Sequence, residues 1–153
     1  VYNVISGDIY WAERGQGAWL ENWRLKVATR IKLANAVIAT GTPFVGHSPE
    51  RHQLFWAELS HLTQETSGIR RFGSAALDLA YVAAGRFDGF WERNLNAWDI
   101  AASIVLVREA GGVVQEIDGG ELLKTGNILA ANASLSPKIL SRLKAAKKRI
   151  EDE

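Results

Sequence analysis

No cysteine occurs in the 153 residues, so a disulfide framework and a thiolate metal site are both excluded. The absence fits a reducing compartment, and a cytoplasmic location is the expectation. Methionine is absent too, and the chain begins at Val1. A complete translation product starts with Met, so the sequence reads as a fragment or a processed piece. No apolar run approaches the roughly 20 residues of a membrane span, and no signal peptide is visible. Neither sign of charge dominates: Lys plus Arg is 18 against 17 for Asp plus Glu. That balance gives no global pull toward nucleic acid or anionic lipid. The one basic cluster, residues 144–149, is expected to form the wet face of a terminal helix, favoured by the negative end of its dipole. P-loop, dinucleotide fingerprint and Ser-His-Asp set are all missing.

What is present is one domain's worth of residues, 47% hydrophobic and 23% charged. Residues 1–27 read as short strands broken by Ser6-Gly7-Asp8 and Gly15-Gln16-Gly17, an antiparallel meander. Such a meander is a poor domain alone and must extend or pack on something larger. The pattern changes near residues 30–34. Beyond it, strands are expected at 36–39, 69–72, 87–92, 113–117 and 128–131. Helices are expected at 49–63 with Ser48 as cap, 74–84, 98–110, and 137–150 with Ser136 as cap. This alternation predicts an α/β fold, a layered α+β sandwich with a mixed sheet. The division is 1–33 for the meander and 34–153 for the α/β domain.

Chemistry concentrates in few places. Asp99 opens the run WDIAASIVLVREAGG, residues 98–112, whose stretch 100–107 carries no charge. Such a helix is expected to be buried on most sides. Asp99 is then either an acidic first-turn residue stabilised by the dipole, or a metal-ligating or catalytic carboxylate. Glu92 ends a strand just before that helix, either solvated or facing the same crevice at the carboxyl ends of strands. Gly73-Ser74-Ala75-Ala76 is a turn of small residues that either admits a ligand to backbone N–H groups or lets a helix pack tightly. Asp78, inside an apolar helix, predicts a buried hydrogen bond. Glu109, at the negative end of a helix dipole, predicts a partner such as an arginine. His47, His52 and His61 read as surface residues without metal-pair spacing.

Three segments together resemble the inositol monophosphatase family: GSAALDLAYVAAGRFDGFWE (73–92), WDIAASIVLVREAGG (98–112) and NILAAN (127–132). The opening YWAERGQGAWLENWRL is similar to the family's strands that close its first sheet. The resemblance covers nearly the whole chain. It implies that Asp99 is a metal ligand for Mg²⁺, and that Glu92 with Gly73, Ser74 and Ala75 holds the substrate's hydroxyls. It further implies a phosphate monoester of inositol or a related polyol as substrate, attacked by a metal-activated water, and a homodimer.

The sequence also departs from the family pattern. The Asp-Gly-Thr type of motif that carries the other metal ligands occurs nowhere in it. Ser103 stands where glycine is usual, and Asn96-Ala97 precede Trp98. The expectation is therefore the C-terminal portion of a phosphatase, with no catalytic residue assigned and no activity as an isolated segment. Fructose-1,6-bisphosphate, histidinol phosphate or a 3′-phosphonucleotide are alternative substrates on the same fold. An alternative of another class is a non-catalytic binding or assembly module, as half of a dimer or in contact with an RNA-associated complex.

Overall fold

The structure, a computed structural model, describes residues 1–152. Three short strands form an antiparallel meander: β1 (Tyr10–Glu13), β2 (Gly17–Leu20) and β3 (Trp23–Arg24). Ahead of it, Tyr2 and Ile9 pair around a tight turn in which the Gly7 N–H donates to the Asn3 carbonyl at 2.8 Å. A mixed five-stranded sheet follows, from β4 (Val37–Thr40), β5 (Gly68–Arg70), β6 (Gly89–Glu92), β7 (Val113–Glu116) and β8 (Ile128–Ala131). Its order is β5-β4-β6-β8-β7. The first three strands run parallel, and β8 is antiparallel to both its neighbours.

Period-two alternation sends successive sheet residues into two cores. Ala39, Phe90, Ile128 and Ala130 pack against α2 (Ala75–Ala83), α3 (Ala97–Glu109) and the inner face of the meander. Ile38, Trp91, Leu129 and Ala131 pack against α1 (Pro49–Thr63) and α5 (Ser136–Glu151). The layers run meander, α2–α3, mixed sheet, α1–α5. This is the expected α/β fold. Tyr10, Ala18 and Leu25 of residues 1–33 share one core with Leu79, Phe90 and Ile104.

Local signals explain the start of α1. Ser48 Oγ accepts from the Arg51 N–H at 3.4 Å, and Pro49 opens α1. The last helix differs from expectation at its start. Ser136 is its first helical residue, Leu135 holds the cap position, and the Ser136 hydroxyl accepts from Gln115 Nε2 at 2.7 Å. A short helix that the sequence did not suggest, α4 (Leu122–Thr125), precedes β8. Asn132 joins the layers: its amide donates to the Ala28 and Arg30 carbonyls, and its oxygen accepts from the Ser134 and Leu135 N–H groups.

Two expectations about α3 need correction. It is not buried on most sides: Trp98, Ala101, Ala102 and Val105 form an exposed apolar stripe, with Trp98 80% exposed. The visible meander covers only part of its outer face. Glu109, further along, is satisfied by backbone rather than by an arginine side chain. Its oxygens accept from the Gly15 and Gly17 N–H groups at 2.9 and 3.0 Å, which holds its carboxyl below the usual range.

Candidate active site

Strands β4 and β6 are parallel neighbours, so their carboxyl ends share one edge of the sheet. Residues leaving that edge meet the first turns of α2 and α3. Two cavities of about 260 and 290 Å³ open there, and Gly41, Thr42, Phe44, Glu92, Leu95 and Asp99 line both. Gly73, Ser74 and Ala75 line the second. All the residues singled out from the sequence as site candidates thus meet at one place.

Glu92 lies across Gly41. A Cβ on that glycine would collide with the Glu92 carboxylate, so glycine is what allows the carboxyl to lie there. Burial pushes the Glu92 carboxyl up to about 7; Asp78 and Asp99 add to the rise and Arg71 opposes it. Asp99 lies in the first turn of α3. Its Oδ2 accepts from the Asn96 N–H at 3.1 Å and so closes the first turn of α3. Its Oδ1 accepts no hydrogen bond among the described residues, and Asp99 lines both cavities. Ser74 occupies the cap position of α2, but its side chain makes no capping bond, which leaves the hydroxyl available to the cavity.

Asp78 contradicts its expectation. Its side chain is buried, 1% exposed, yet neither oxygen has a hydrogen-bond partner. Burial pushes it up to about 7, with only the charge of Arg71 pulling the other way. A carboxyl so placed keeps its proton well above the usual carboxylate range and titrates near neutral pH. The three histidines are half-buried, and His47 lines the first cavity, where its Nδ1 accepts from the Phe44 N–H at 3.1 Å.

The loop between Glu92 and Asp99 is clamped. Arg93 Nε donates to Glu58 Oε1 at 2.8 Å, and its Nη1 meets Asp118 at 2.5 Å. Glu58 also accepts from Trp91 Nε1, and Asp118 from Lys147. The Asn94 N–H donates to Asn127 Oδ1 at 3.0 Å, and the Leu95 N–H to the Gly126 carbonyl at 3.1 Å. Ser103, in place of a glycine, donates to the Ala76 carbonyl at 3.0 Å and ties α3 to α2.

A magnesium site can be tested against these donors. Among the described residues no group of three or more His, Asp or Glu side chains is placed to hold a metal ion. The free Oδ1 of Asp99 suits a hard cation as one oxygen ligand, and no cluster of further carboxylates or imidazoles completes a shell among the described residues.

The sequence matches the inositol monophosphatase family over residues 1–148. The chain belongs to that family. It is 49% identical over 148 residues to an inositol-1-monophosphatase of Caulobacter vibrioides, covering 95% of this chain and 57% of that protein. It is 45% identical over 144 residues to a putative Nus factor SuhB of Neisseria meningitidis, covering 94% and 53%. The crystal structure of the extragenic suppressor protein suhB from Bartonella henselae superposes with a TM-score of 0.88 at 49% identity, covering 94% of this chain and 55% of that one. An inositol monophosphatase from Anabaena gives 0.86 at 37%, covering 94% and 57%. The chain therefore spans about half the length of the relatives it matches.

Two of the segments that carried the family resemblance form α2, β6 and α3, the walls of the cavities. Sequence reading passed over Gly41, Arg71 and the Arg93 clamp. Nothing local in the sequence marks them, because each matters through a partner brought near by the sheet.

Proposed function

We propose that this chain is the C-terminal part of a magnesium-dependent phosphate monoesterase acting on inositol monophosphate or a related polyol phosphate. The observation that carries the reading is the meeting of Glu92 and Asp99 on the wall shared by two cavities, opposite Gly73-Ser74-Ala75. Residues 34–153 form the C-terminal α/β domain, and residues 1–33 complete a sheet whose other strands belong to the remainder of the protein. Asp99 Oδ1 is one ligand of Mg²⁺, and the remaining ligands come from outside these residues. When bound, Mg²⁺ supplies charge neutralisation at a phosphate and acidifies a water.

The chain's own residues bind and orient. Glu92 accepts a hydrogen bond from a substrate hydroxyl, while Ser74 and the backbone of Gly73 and Ala75 line the opposite side. Burial strengthens these polar contacts by excluding water. The Arg93 clamp keeps Glu92 and Asp99 at a set separation, which orients the hydroxyls relative to the phosphate. Fructose-1,6-bisphosphate, histidinol phosphate and a 3′-phosphonucleotide are the competing substrates on this fold. The full-length protein acts as a homodimer in the cytoplasm.

Asp99→Asn in the full-length protein tests this reading. Mg²⁺-dependent phosphate release is expected to fall by at least about 100-fold, since even outer-shell partners of a metal are worth 10- to 100-fold. Unchanged release at limiting Mg²⁺ rules out the ligand role. The isolated segment is expected to release no phosphate from any of these substrates.

A second reading has one observation in its favour. Several relatives at 40–45% identity are named Nus factor SuhB or putative Nus factor SuhB. On that reading the protein is an assembly module. An Asp99→Asn protein that retains an assembly function after losing phosphate release separates the two.

A further inference from the structure

Arg71 is a charged residue of the second cavity to which no role has been given. It lies in the loop between β5 and α2, and the family resemblance does not assign it. Its guanidinium folds back over Gly73: a Cβ there would sit 3.1 Å from Nη1 and 3.3 Å from Cζ. Gly73 also has φ +91°, a conformation that side chains resist, so glycine serves both the turn and the passage of Arg71.

The arginine is exposed, and it makes neither an ion pair nor a hydrogen bond among the described residues. Its charge nevertheless acts on both Asp78 and Glu92, favouring the ionised form of each against burial. Arg71 and Glu92 both line this cavity, which so holds a fork of five N–H donors and a carboxyl acceptor. A lone hydroxyl satisfies one of these two groups. Two adjacent hydroxyls satisfy both, one donating to Glu92 and the next accepting from Arg71.

We propose that Arg71 is a specificity-determining residue which, together with Glu92, selects phosphate monoesters that carry a vicinal diol. The inference rests on the phosphatase reading and names the substrate feature that the site reads. It assigns Arg71 no part in the chemical step.

The test uses the full-length protein and two substrates: myo-inositol 1-phosphate, which has vicinal diols, and 4-nitrophenyl phosphate, which has none. Arg71→Ala is expected to raise KM for the inositol ester by about 10-fold or more, the value of a charged hydrogen bond. Its kcat should stay within about threefold, and kinetics on 4-nitrophenyl phosphate should not change. Arg71→Lys should recover part of the KM, because an ammonium keeps the charge without the planar fork. An unchanged KM for the inositol ester, or an equal change on both substrates, overturns the proposal. Binding is read separately from turnover by the NMR resonance of Arg71 Nε–Hε during titration with myo-inositol 1-phosphate. No shift of that resonance overturns the proposal. A shift without hydrolysis of either substrate supports diol recognition and overturns the phosphatase reading instead.

Discussion

Gly126→Ala is expected to lower the melting temperature by about 6–12 °C, while Gly7→Ala lowers it by about half as much. Both glycines have positive φ, +65° and +78°, so both substitutions carry the strain of a left-handed residue, roughly 1–2 kcal/mol. They differ in surroundings. A Cβ at Gly7 meets nothing within 4 Å, whereas one at buried Gly126 collides with the backbone of Leu95. Backbone cannot rotate aside as a side chain can, so overpacking adds roughly 1–3 kcal/mol. The total, about 3 kcal/mol, converts at about 2–4 °C per kcal/mol for a chain of this size. The damage falls on the Glu92–Asp99 loop, because the Gly126 carbonyl accepts the Leu95 N–H at 3.1 Å. Equal melting temperatures for the two variants would sink the argument.

The pH dependence of stability gives the second large effect, and it turns on Asp78. Burial raises this carboxyl from its usual 3.8 to about 7. The folded chain therefore holds a proton that the unfolded chain has released between those two values. The native state loses stability across that window as pH rises, and the loss is complete above about 7. The displacement corresponds to about 4 kcal/mol at most. Asp78→Asn removes the titration while keeping the shape. The variant and the parent should differ most at pH 8, with the variant gaining up to that amount relative to its difference at pH 4. Urea denaturation at pH 4, 6 and 8 measures it. A constant offset between the two proteins at every pH would show that Asp78 does not titrate in this range. Glu92, also raised to about 7, leaves a residual slope in the variant that Glu92→Gln should remove.

The same carboxyl shows where sequence reading reaches its end. The apolar company of Asp78 within 73–84 pointed correctly to burial. A hydrogen bond was then the natural expectation, since buried polar groups nearly always have partners. The fold instead buries both its oxygens without a partner, and Arg71, the cation that acts on it, is exposed. The exposed stripe of α3 has a similar origin. Residues 100–107 carry no charge on any side, so the pattern gives little information about which side the sheet covers.

Elements with strong local punctuation were legible. Helix α1 runs Pro49–Thr63 as expected, because Ser48, Pro49 and the spacing of Leu54, Phe55, Leu59 and Leu62 all specify it. Strand β8 also lies where expected, an apolar run set off by Gly126-Asn127 and Asn132. The start of α5 was displaced because the Ser136 hydroxyl found Gln115, a partner on another element, in place of its own helix.

By itself, then, the sequence determined the α/β class, most element positions and membership of the inositol monophosphatase family. The class and the element positions depend on periodicity, caps and turns, which act within a few residues of each other, and the membership depends on the motifs within 73–92, 98–112 and 127–132. Only the tertiary structure decided what Asp99, Glu92 and Arg71 face. Arg93 reaches Glu58 and Asp118 across 35 and 25 residues, and Glu109 reaches Gly15 across 94. Contacts over such distances depend on sheet order and register, and a one-residue slip would turn each side chain to the opposite face. The site exists because two parallel strands end side by side, an arrangement that no local segment of the sequence specifies.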